Sequence, residues 1–419
     1  MNSFLTPANG YRNSFANPNL DFVTELDFEA IAHHENFMRI WEQLKGKPRK
    51  AAGLDDFRCE DYTKSELAKV VRTLQTLIRN GTYKPGPSRR VSWPKPGGNG
   101  TRDIDIRNVP DRVVSLAVAK PISKALESIL LPTCFAYRPN KSSLDLLAQL
   151  RHRIESTGMT VVAQDDIRNA FGSLDIGRVR SDFASELLPP EIHAQLLRLM
   201  SAIWRGNMRR QIGIEQGDPL SPFTLNLRLH YCRDLPFHLT TDPDNQTWNA
   251  RFSDNLVYQA GSVSEGLRAL ERDRRILAGT EFCLKGENNY PVDLRRQGSS
   301  IEVLGFKIRM SNARVLFDLG KRAINNLSHA LANASTKPDP IRMCKHVLTG
   351  WIMEYGAAFD SYGPERYLTT VKEICLRHRL YEYSSEAWIL GKMLKAIHVW
   401  ESICERALDD VNNTDDMVT

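Results

Sequence analysis

The chain has 419 residues, enough for two or three domains in one connected body. Hydrophobic residues make up 42% and charged residues 25%, which excludes disorder, collagen and coiled coil as overall classes. Lys and Arg exceed Asp and Glu by 56 minus 50, a weak net charge of +6. The first elements follow from hydrophobic spacing. Residues 1–30, rich in Asn, Pro and Phe, read as an irregular arm, with a helix starting near Asp27 and running through Ile40, Trp41 and Leu44. Lys45 to Gly53 is a basic loop. Ser65 is expected to cap a helix carrying Leu67, Val70, Val71, Leu74 and Leu77, which Gly81 ends. Val91 to Ile106 reads as two extended segments joined by Pro96-Gly97-Gly98-Asn99-Gly100, a hairpin composition. Asp111 to Leu131 is expected to be helical with a break at Pro121, and Ser143 to Thr157 to be a further helix.

Met159 to Ile167 is a β-branched run that ends in Asp165 and Asp166. Helices are expected over Ile176 to Leu187 and Ile192 to Trp204, followed by the segment Gly213 to Asn226. A second extended run, Phe252 to Tyr258, is preceded by Trp248 and carries Asp254. Val303 to Ile308 and Val315 to Asp318 read as a further pair of strands, and beyond Gly320 the pattern is helical. The order is mixed α+β first and all-α afterwards, with no internal repeat.

Charge and cysteine use bound the setting. Between Lys84 and Arg112 there are seven cations against three anions, and the run Asp409 to Asp416 is acidic. Such a basic stretch either attracts phosphates or is a solvated face. No stretch reaches the roughly 18 uninterrupted apolar residues of a membrane span. Met1 to Asn19 is polar and lacks the apolar centre of a secretory leader. The seven cysteines are scattered singly, without CxxC or zinc spacing, which is the pattern of a cytoplasmic protein.

Two strands that each deliver an aspartate, far apart in sequence, are the most informative feature. Phosphoryl transfer asks for positioning and electrostatic stabilisation more than covalent chemistry. Mg²⁺ takes a few carboxylates plus substrate oxygens, and two such ions roughly 3.5–4 Å apart clamp the attacking and leaving oxygens. In isolation an Asp at a strand end is more often a turn residue or a helix cap.

The surroundings narrow that choice. Asp166-Ile167-Arg168-Asn169-Ala170-Phe171 resembles the first catalytic motif of reverse transcriptases. Gln216-Gly217-Asp218-Pro219-Leu220-Ser221-Pro222 is similar to their QGxPLSP segment. Phe252-Ser253-Asp254-Asn255 stands where they carry an aromatic-x-Asp-Asp turn, and Val303-Leu304-Gly305-Phe306 resembles their primer-grip strand. Gly81 to Pro85, Trp93 to Pro96 and Phe135 to Pro139 resemble the fingers of bacterial and group II intron-type enzymes. Gly350-Trp351-Ile352 with Tyr355 resembles the start of their thumb, or maturase, region.

The resemblance implies an α+β right-hand polymerase. It has an N-terminal arm and helix (1–52), fingers (53–160), an antiparallel palm sheet with the catalytic motifs (161–319), and a helical thumb with an acidic tail (320–419). It implies that Asp166 and Asp254 hold two Mg²⁺ ions, with Mn²⁺ as a substitute, that the Ile167 carbonyl completes one shell, and that Asn255 stands among the catalytic residues. Lys95, Arg102, Phe171, Gln216 and Gly217 would bind the incoming nucleotide, the Phe171 ring rejecting a 2′-hydroxyl. Gly305 and Phe306 would grip the primer, and Arg138 would touch the template or brace the fingers. Phe171 read without the family is a core aromatic, and Lys95 and Arg102 are surface charges.

Two positions depart from the family pattern. Asn255 replaces the second aspartate of the turn, and an amide binds Mg²⁺ less well than a carboxylate. Asn288 stands where a lysine is thought to protonate the leaving pyrophosphate, and Lys285 lies nearby but out of register. No nuclease or DNA-binding segment follows the thumb-like region, which fits a defence-associated bacterial member better than a self-spreading intron enzyme. The expected activity is RNA-directed DNA synthesis, with dNTPs as substrate, a DNA product and a structured noncoding RNA as partner. A companion reverse transcriptase or a second copy of the chain are further partners. The rival expectations are a polymerase-shaped RNA-binding or splicing-assistance protein, and a polymerase making simple or weakly templated DNA.

Overall fold

The computed structural model describes residues 25–45, 51–94, 101–240, 247–286, 289–336, 339–383 and 385–415, without the side chains of 93, 94, 382 and 409–415. The first helical stretch divides in two. Asp27 caps a single turn, Phe28–Ile31, and α1 (His34–Lys45) follows. α2 (Lys64–Arg79) is capped by Thr63, not Ser65, because Glu66 completes a capping box with Thr63. β1 (Arg89–Pro94) and β2 (Thr101–Ile106) form the expected antiparallel hairpin. α3 (Val109–Leu126) continues through Pro121 and ends short of Leu131. α4 (Ser143–Thr157) matches its expected bounds: Ser142 accepts the Asp145 N–H at one end, and Gly158, at φ 69°, takes the left-handed conformation at the other.

The central sheet is built from β3 (Val161–Asp166), β4 (Trp248–Phe252), β5 (Asn255–Ala260) and β6 (Val292–Asp293). Their order is β4-β5-β3-β6, and every neighbouring pair is antiparallel. The run Phe252 to Tyr258, expected as one strand, is a hairpin whose turn is Ser253-Asp254. α5 (Ile176–Glu186), α6 (Pro190–Arg205) and α7 (Ser221–Leu229) lie between β3 and β4 in sequence, and α8 (Val263–Leu277) follows β5.

Strand alternation gives the sheet two buried faces. Ala163, Leu256 and Tyr258 face one apolar core with α1, α2, α3, α5, α6, α7 and α8. Val162, Ala250 and Val257 face the other, which contains α4 and most of the buried residues beyond 300. A second sheet, β7 (Ile301–Val303), β8 (Phe306–Ser311) and β9 (Arg314–Leu319), belongs to that second core. Val303 to Ile308 is therefore not one strand. Leu304 and Gly305, at φ 49° and 87°, form the two-residue turn that joins β7 to β8.

After β9 the chain is helical, as expected: α9 (Ala323–Ala334), α10 (Pro340–Glu354), α11 (Gly356–Tyr362), α12 (Glu365–Arg377) and α13 (Glu386–Asp415). α13 packs along α4, α10 and α11. Among the described residues no helix is long and apolar enough to cross a membrane.

Candidate active site

The carboxylates of Asp166 and Asp254 are brought together by strand register. β3 ends at Asp166, directly opposite Asn255, the first residue of β5. The Ile167 N–H donates to the Asp254 carbonyl at 2.8 Å, so the two chain segments stay paired one residue past the ladder. The Ser253-Asp254 turn needs a left-handed residue at its first central position, and Ser253 supplies it at φ 60°. Two side chains hold that turn. The Tyr137 hydroxyl and Ser253 Oγ are 3.3 Å apart, and Arg251 donates to the Ser253 carbonyl at 3.1 Å and to Asn226 Oδ1 at 2.9 Å.

Arg251 is itself fixed from below. Asp234 accepts from it at 2.7 Å, Arg233 donates to Asp234 at 3.1 Å, and Asp273 accepts from Arg233 at 2.6 Å. All four residues are buried. This network closes on the segment His230–Asp234, a π-helical turn that continues α7, and so ties the hairpin to two helices. Nothing in the local sequence announces it, since its members are scattered over 40 positions.

Asp166 Oδ2 pairs with Lys285 Nζ at 2.7 Å, while Asp166 Oδ1 is buried and has no hydrogen-bond partner. Burial, and after it the Asp254 charge, raises the Asp166 carboxyl to about 6, against the opposing pull of Lys285. Lys285, out of register in sequence, reaches Asp166 because its segment pairs with the end of β3. Its N–H donates to the Asp166 carbonyl at 2.8 Å, and Arg168 N–H donates to the Cys283 carbonyl at 2.9 Å. Buried Asp165 secures the same segment, accepting from Gly286 N–H at 3.1 Å and from Asn289 Nδ2 at 2.8 Å. Asn288 lies outside the described residues.

An unpaired, buried carboxylate oxygen beside a second carboxylate fits a hard cation such as Mg²⁺. Among the described residues no group of three or more His, Cys, Asp and Glu is gathered for a metal, so the remaining ligands would be backbone or substrate oxygens. Asn255 is not arranged as a ligand. Its Nδ2 points back at the Phe252 carbonyl, at 3.4 Å, and at Asp254 Oδ1, at 3.5 Å, which makes it a weak donor to the carboxylate.

The remaining expected residues divide. Phe171 sits on the short turn Ala170–Ser173, half-buried against the first core, and its carbonyl accepts the Ile214 N–H at 3.0 Å. That bond brings the start of the Gln216-Gly217 loop to the Phe171 turn. Gln216 offers its carbonyl to Asp105 N–H of β2 at 2.8 Å. Gly217, at φ 107°, has no room for a Cβ, which would stand 2.9 Å from the Asp105 carbonyl and from Ile104. The close approach that requires glycine here is thus that of β2. Buried charges anchor the loop: Arg107 Nε bonds Glu215 at 2.6 Å and Asp218 at 3.1 Å.

Arg102 is exposed on β2. Burial raises the Tyr137 phenol above its usual range and Asp254 adds to this, while the Tyr137–Ser253 bond and the Arg102 charge oppose it. Lys95 lies outside the described residues. Arg138 is consumed as a brace: it donates to Glu127 at 3.1 Å and to the Leu131 and Cys134 carbonyls at 2.8 and 3.1 Å. That geometry is the bracing arrangement expected for Arg138. Phe306 is fully buried against Tyr355, with ring centroids 5.0 Å apart, so its ring is core, while the Leu304-Gly305 turn is half-buried. The Gln164 amide donates to the Glu302 carbonyl and sets that turn beside β3.

No family model matches the chain. Among curated proteins, the group II intron-encoded protein LtrA of Lactococcus lactis subsp. cremoris, and its counterpart in strain MG1363, are each 23% identical over 217 residues. The match covers 51% of this chain and 35% of the relative, so it spans about a third of the length of those proteins. Among solved structures, telomerase from Candida albicans in complex with a fragment of telomeric RNA aligns at 11% identity over 78% of this chain and 65% of that one, with a TM-score of 0.43. Apo telomerase from Candida tropicalis aligns at 10% identity over 82% and 72%, with a TM-score of 0.42. Over those 217 residues the chain is similar to a group II intron-encoded protein, and the matched fold carries an antiparallel sheet whose β3 end and β4–β5 turn hold Asp166 and Asp254.

Proposed function

We propose that the chain is an RNA-directed DNA polymerase that adds deoxynucleotides to a 3′ end, with 53–160 as fingers, 161–319 as palm and 320–419 as thumb. The observation that carries this reading is the register that sets Asp166 beside Asp254 with Asp166 Oδ1 buried and unpartnered. Mg²⁺ held there would offset the charge that develops on the attacking and leaving oxygens. Asp166 and Asp254 would supply the carboxylates, and the Ile167 carbonyl is the backbone candidate. Arg251 and Tyr137 keep the Asp254 turn in place. Phe171, at the edge of the first core, is the residue to exclude a 2′-hydroxyl, and Arg102 is the cation to meet a triphosphate. Lys285, 2.7 Å from Asp166, is positioned to orient that carboxylate, and its ammonium is the candidate proton donor.

Asn255 supports a second reading, a polymerase-shaped RNA-binding protein with weak catalysis, because the turn offers one carboxylate where the family has two. We further propose a structured noncoding RNA as template or scaffold, in antiviral defence; the sequence resemblance is the support, and sequencing copurifying nucleic acid is the test. For the reaction itself, primer extension with Mg²⁺ or Mn²⁺ should be lost in both Asp166→Ala and Asp254→Ala while the fold persists. Near-normal incorporation by either variant would remove the metal assignment. Wild-type protein inert with its own RNA present would leave only the binding reading.

A further inference from the structure

The turn that carries Phe171, Ala170–Ser173, is a single helical turn, too short to be stable on its own. Two neighbours impose its shape. The first is Asn169, which takes the left-handed conformation at φ 47° and ψ 44°, a region that side chains other than Asn and Asp seldom enter. Its carbonyl accepts the Ser173 N–H at 3.0 Å. Its side-chain amide makes no capping hydrogen bond and lies over Gly172, so closely that a Cβ at Gly172 would run into it. The second neighbour is Gly213-Ile214. The Gly213 N–H donates to the Leu174 carbonyl at 2.7 Å, and the Ile214 N–H to the Phe171 carbonyl at 3.0 Å. Gly213, at φ 80°, comes so near that a Cβ would stand 3.0 Å from the Gly172 carbonyl oxygen. This second neighbour is itself fixed. The next residue, Glu215, is buried, bonded by Arg107 at 2.6 Å and paired with Arg210 at 3.3 Å.

We propose that Asn169 and Gly213 are positioning residues for sugar discrimination, holding the Phe171 turn where its ring meets the sugar of the incoming nucleotide. The inference rests on the reading of Phe171 as the residue that excludes a 2′-hydroxyl. A ring on a four-residue turn cannot set its own place. The Asn169 side chain and the Gly213 backbone set it, and the Glu215–Arg107 pair ties that backbone to the buried charges under the Gln216 loop. The Phe171 turn and the Gln216 loop are therefore one frame. A side chain added at Gly213 must push the Gly172 carbonyl away by a few tenths of an ångström, and the Phe171 ring moves with its turn. Loss of the Asn169 side chain leaves the same turn free to shift.

The test uses the full chain and an RNA template with a DNA primer, and compares kcat/KM for a dNTP with that for the matching rNTP. Phe171→Ala gives the size of the full effect. Gly213→Ala and Asn169→Gly should each lower the dNTP-to-rNTP ratio about tenfold, since a misplacement of about 1 Å can cost about 10²-fold in rate. Asn169→Gly should keep the wild-type melting temperature, because glycine takes φ 47° without steric cost, so it decides the matter where Gly213→Ala folds poorly. Combined with Phe171→Ala, neither change should lower the ratio further, because both act through the ring. A ratio that does not fall, or incorporation of dNTP and rNTP reduced in equal proportion, would make Asn169 and Gly213 structural supports and overturn the proposal. Full additivity with Phe171→Ala would overturn it too. An unchanged ratio in Phe171→Ala would instead defeat the Phe171 reading and this proposal with it, and wild-type protein inert on both nucleotides would defeat the polymerase reading.

Discussion

Asp166 is pressed from two sides. Burial and Asp254 favour its protonated form, and Lys285 favours the carboxylate, leaving it at about 6. An acid whose folded value is raised binds a proton in the native state that the unfolded chain has already released. Its contribution to stability therefore falls as pH rises from about 4 to 6, and the whole penalty stands above that window. Asp166→Asn removes the ionisation. The metal-free variant should melt higher than wild type at pH 8, and the two curves should converge near pH 4. Mg²⁺ should raise the melting temperature of wild type more at pH 8 than at pH 5.5, and should not raise that of the variant. Curves that stay parallel across pH would mean that Asp166 is not the strained group. Asn255→Asp makes the complementary case. It replaces a donor 3.5 Å from Asp254 Oδ1 by a third carboxylate. Without metal the variant should melt lower than wild type, and with metal it should reach half-maximal synthesis at a lower Mg²⁺ concentration. A lower melting temperature with no gain in synthesis would favour the binding reading.

The β4–β5 hairpin shows how much of a site lies below the residues that name it. Asp254 is placed by Ser253, Ser253 by Arg251, and Arg251 by Asp234. Arg251→Ala should cost about 3–5 kcal/mol, since it leaves Asp234 buried with one of its two cations gone. The double variant Arg251→Met with Asp234→Leu should recover much of that stability in a denaturant melt. It should not recover DNA synthesis, because the Ser253 carbonyl is still unheld. Recovery of both would make the network a stability device alone. The hairpin also shows what was legible in the sequence. Helices with clear caps were readable, as the match of α4 to its expected bounds shows. The motif strings around Asp166, Gln216 and Asp254 were readable as well. The two split strands were not, because their turns use Ser253 and Leu304 where Asn or Gly is the usual marker of a left-handed residue. The partners of buried charges were not readable either: Arg107 meets Glu215 across 108 positions. Lys285 looked out of register because distance along the chain was counted, whereas a bridge between Ile167 and Leu284 sets its place.

The central sheet has one face in each core, so the C-terminal helices bear on the site through the sheet's back face. Val162 of β3 and Phe252 of β4 share one apolar cluster with Trp351, Phe359, Met393 and Trp400. α13 closes that cluster. Trp400 is fully buried, its ring edge-on to Phe317 at 5.4 Å, and its Nε1 donates to Asp360 Oδ2 at 3.2 Å. Asp360 also pairs with Arg151 of α4, the helix that packs behind β4. Trp400→Ala removes one of the largest side chains of this junction and leaves Asp360 short of a donor. The expected loss is about 3–5 kcal/mol, set by the cavity and the transfer term together. If the helices beyond 320 and the sheet share one core in the energetic sense, the variant should unfold in a single transition shifted to lower denaturant. The Mg²⁺-dependent stabilisation expected through Asp166 should shift with it, because the strand of Asp166 is anchored by Val162. Two separated transitions, with the Mg²⁺ effect confined to the more stable one, would instead mean that the C-terminal helices fold as a unit of their own.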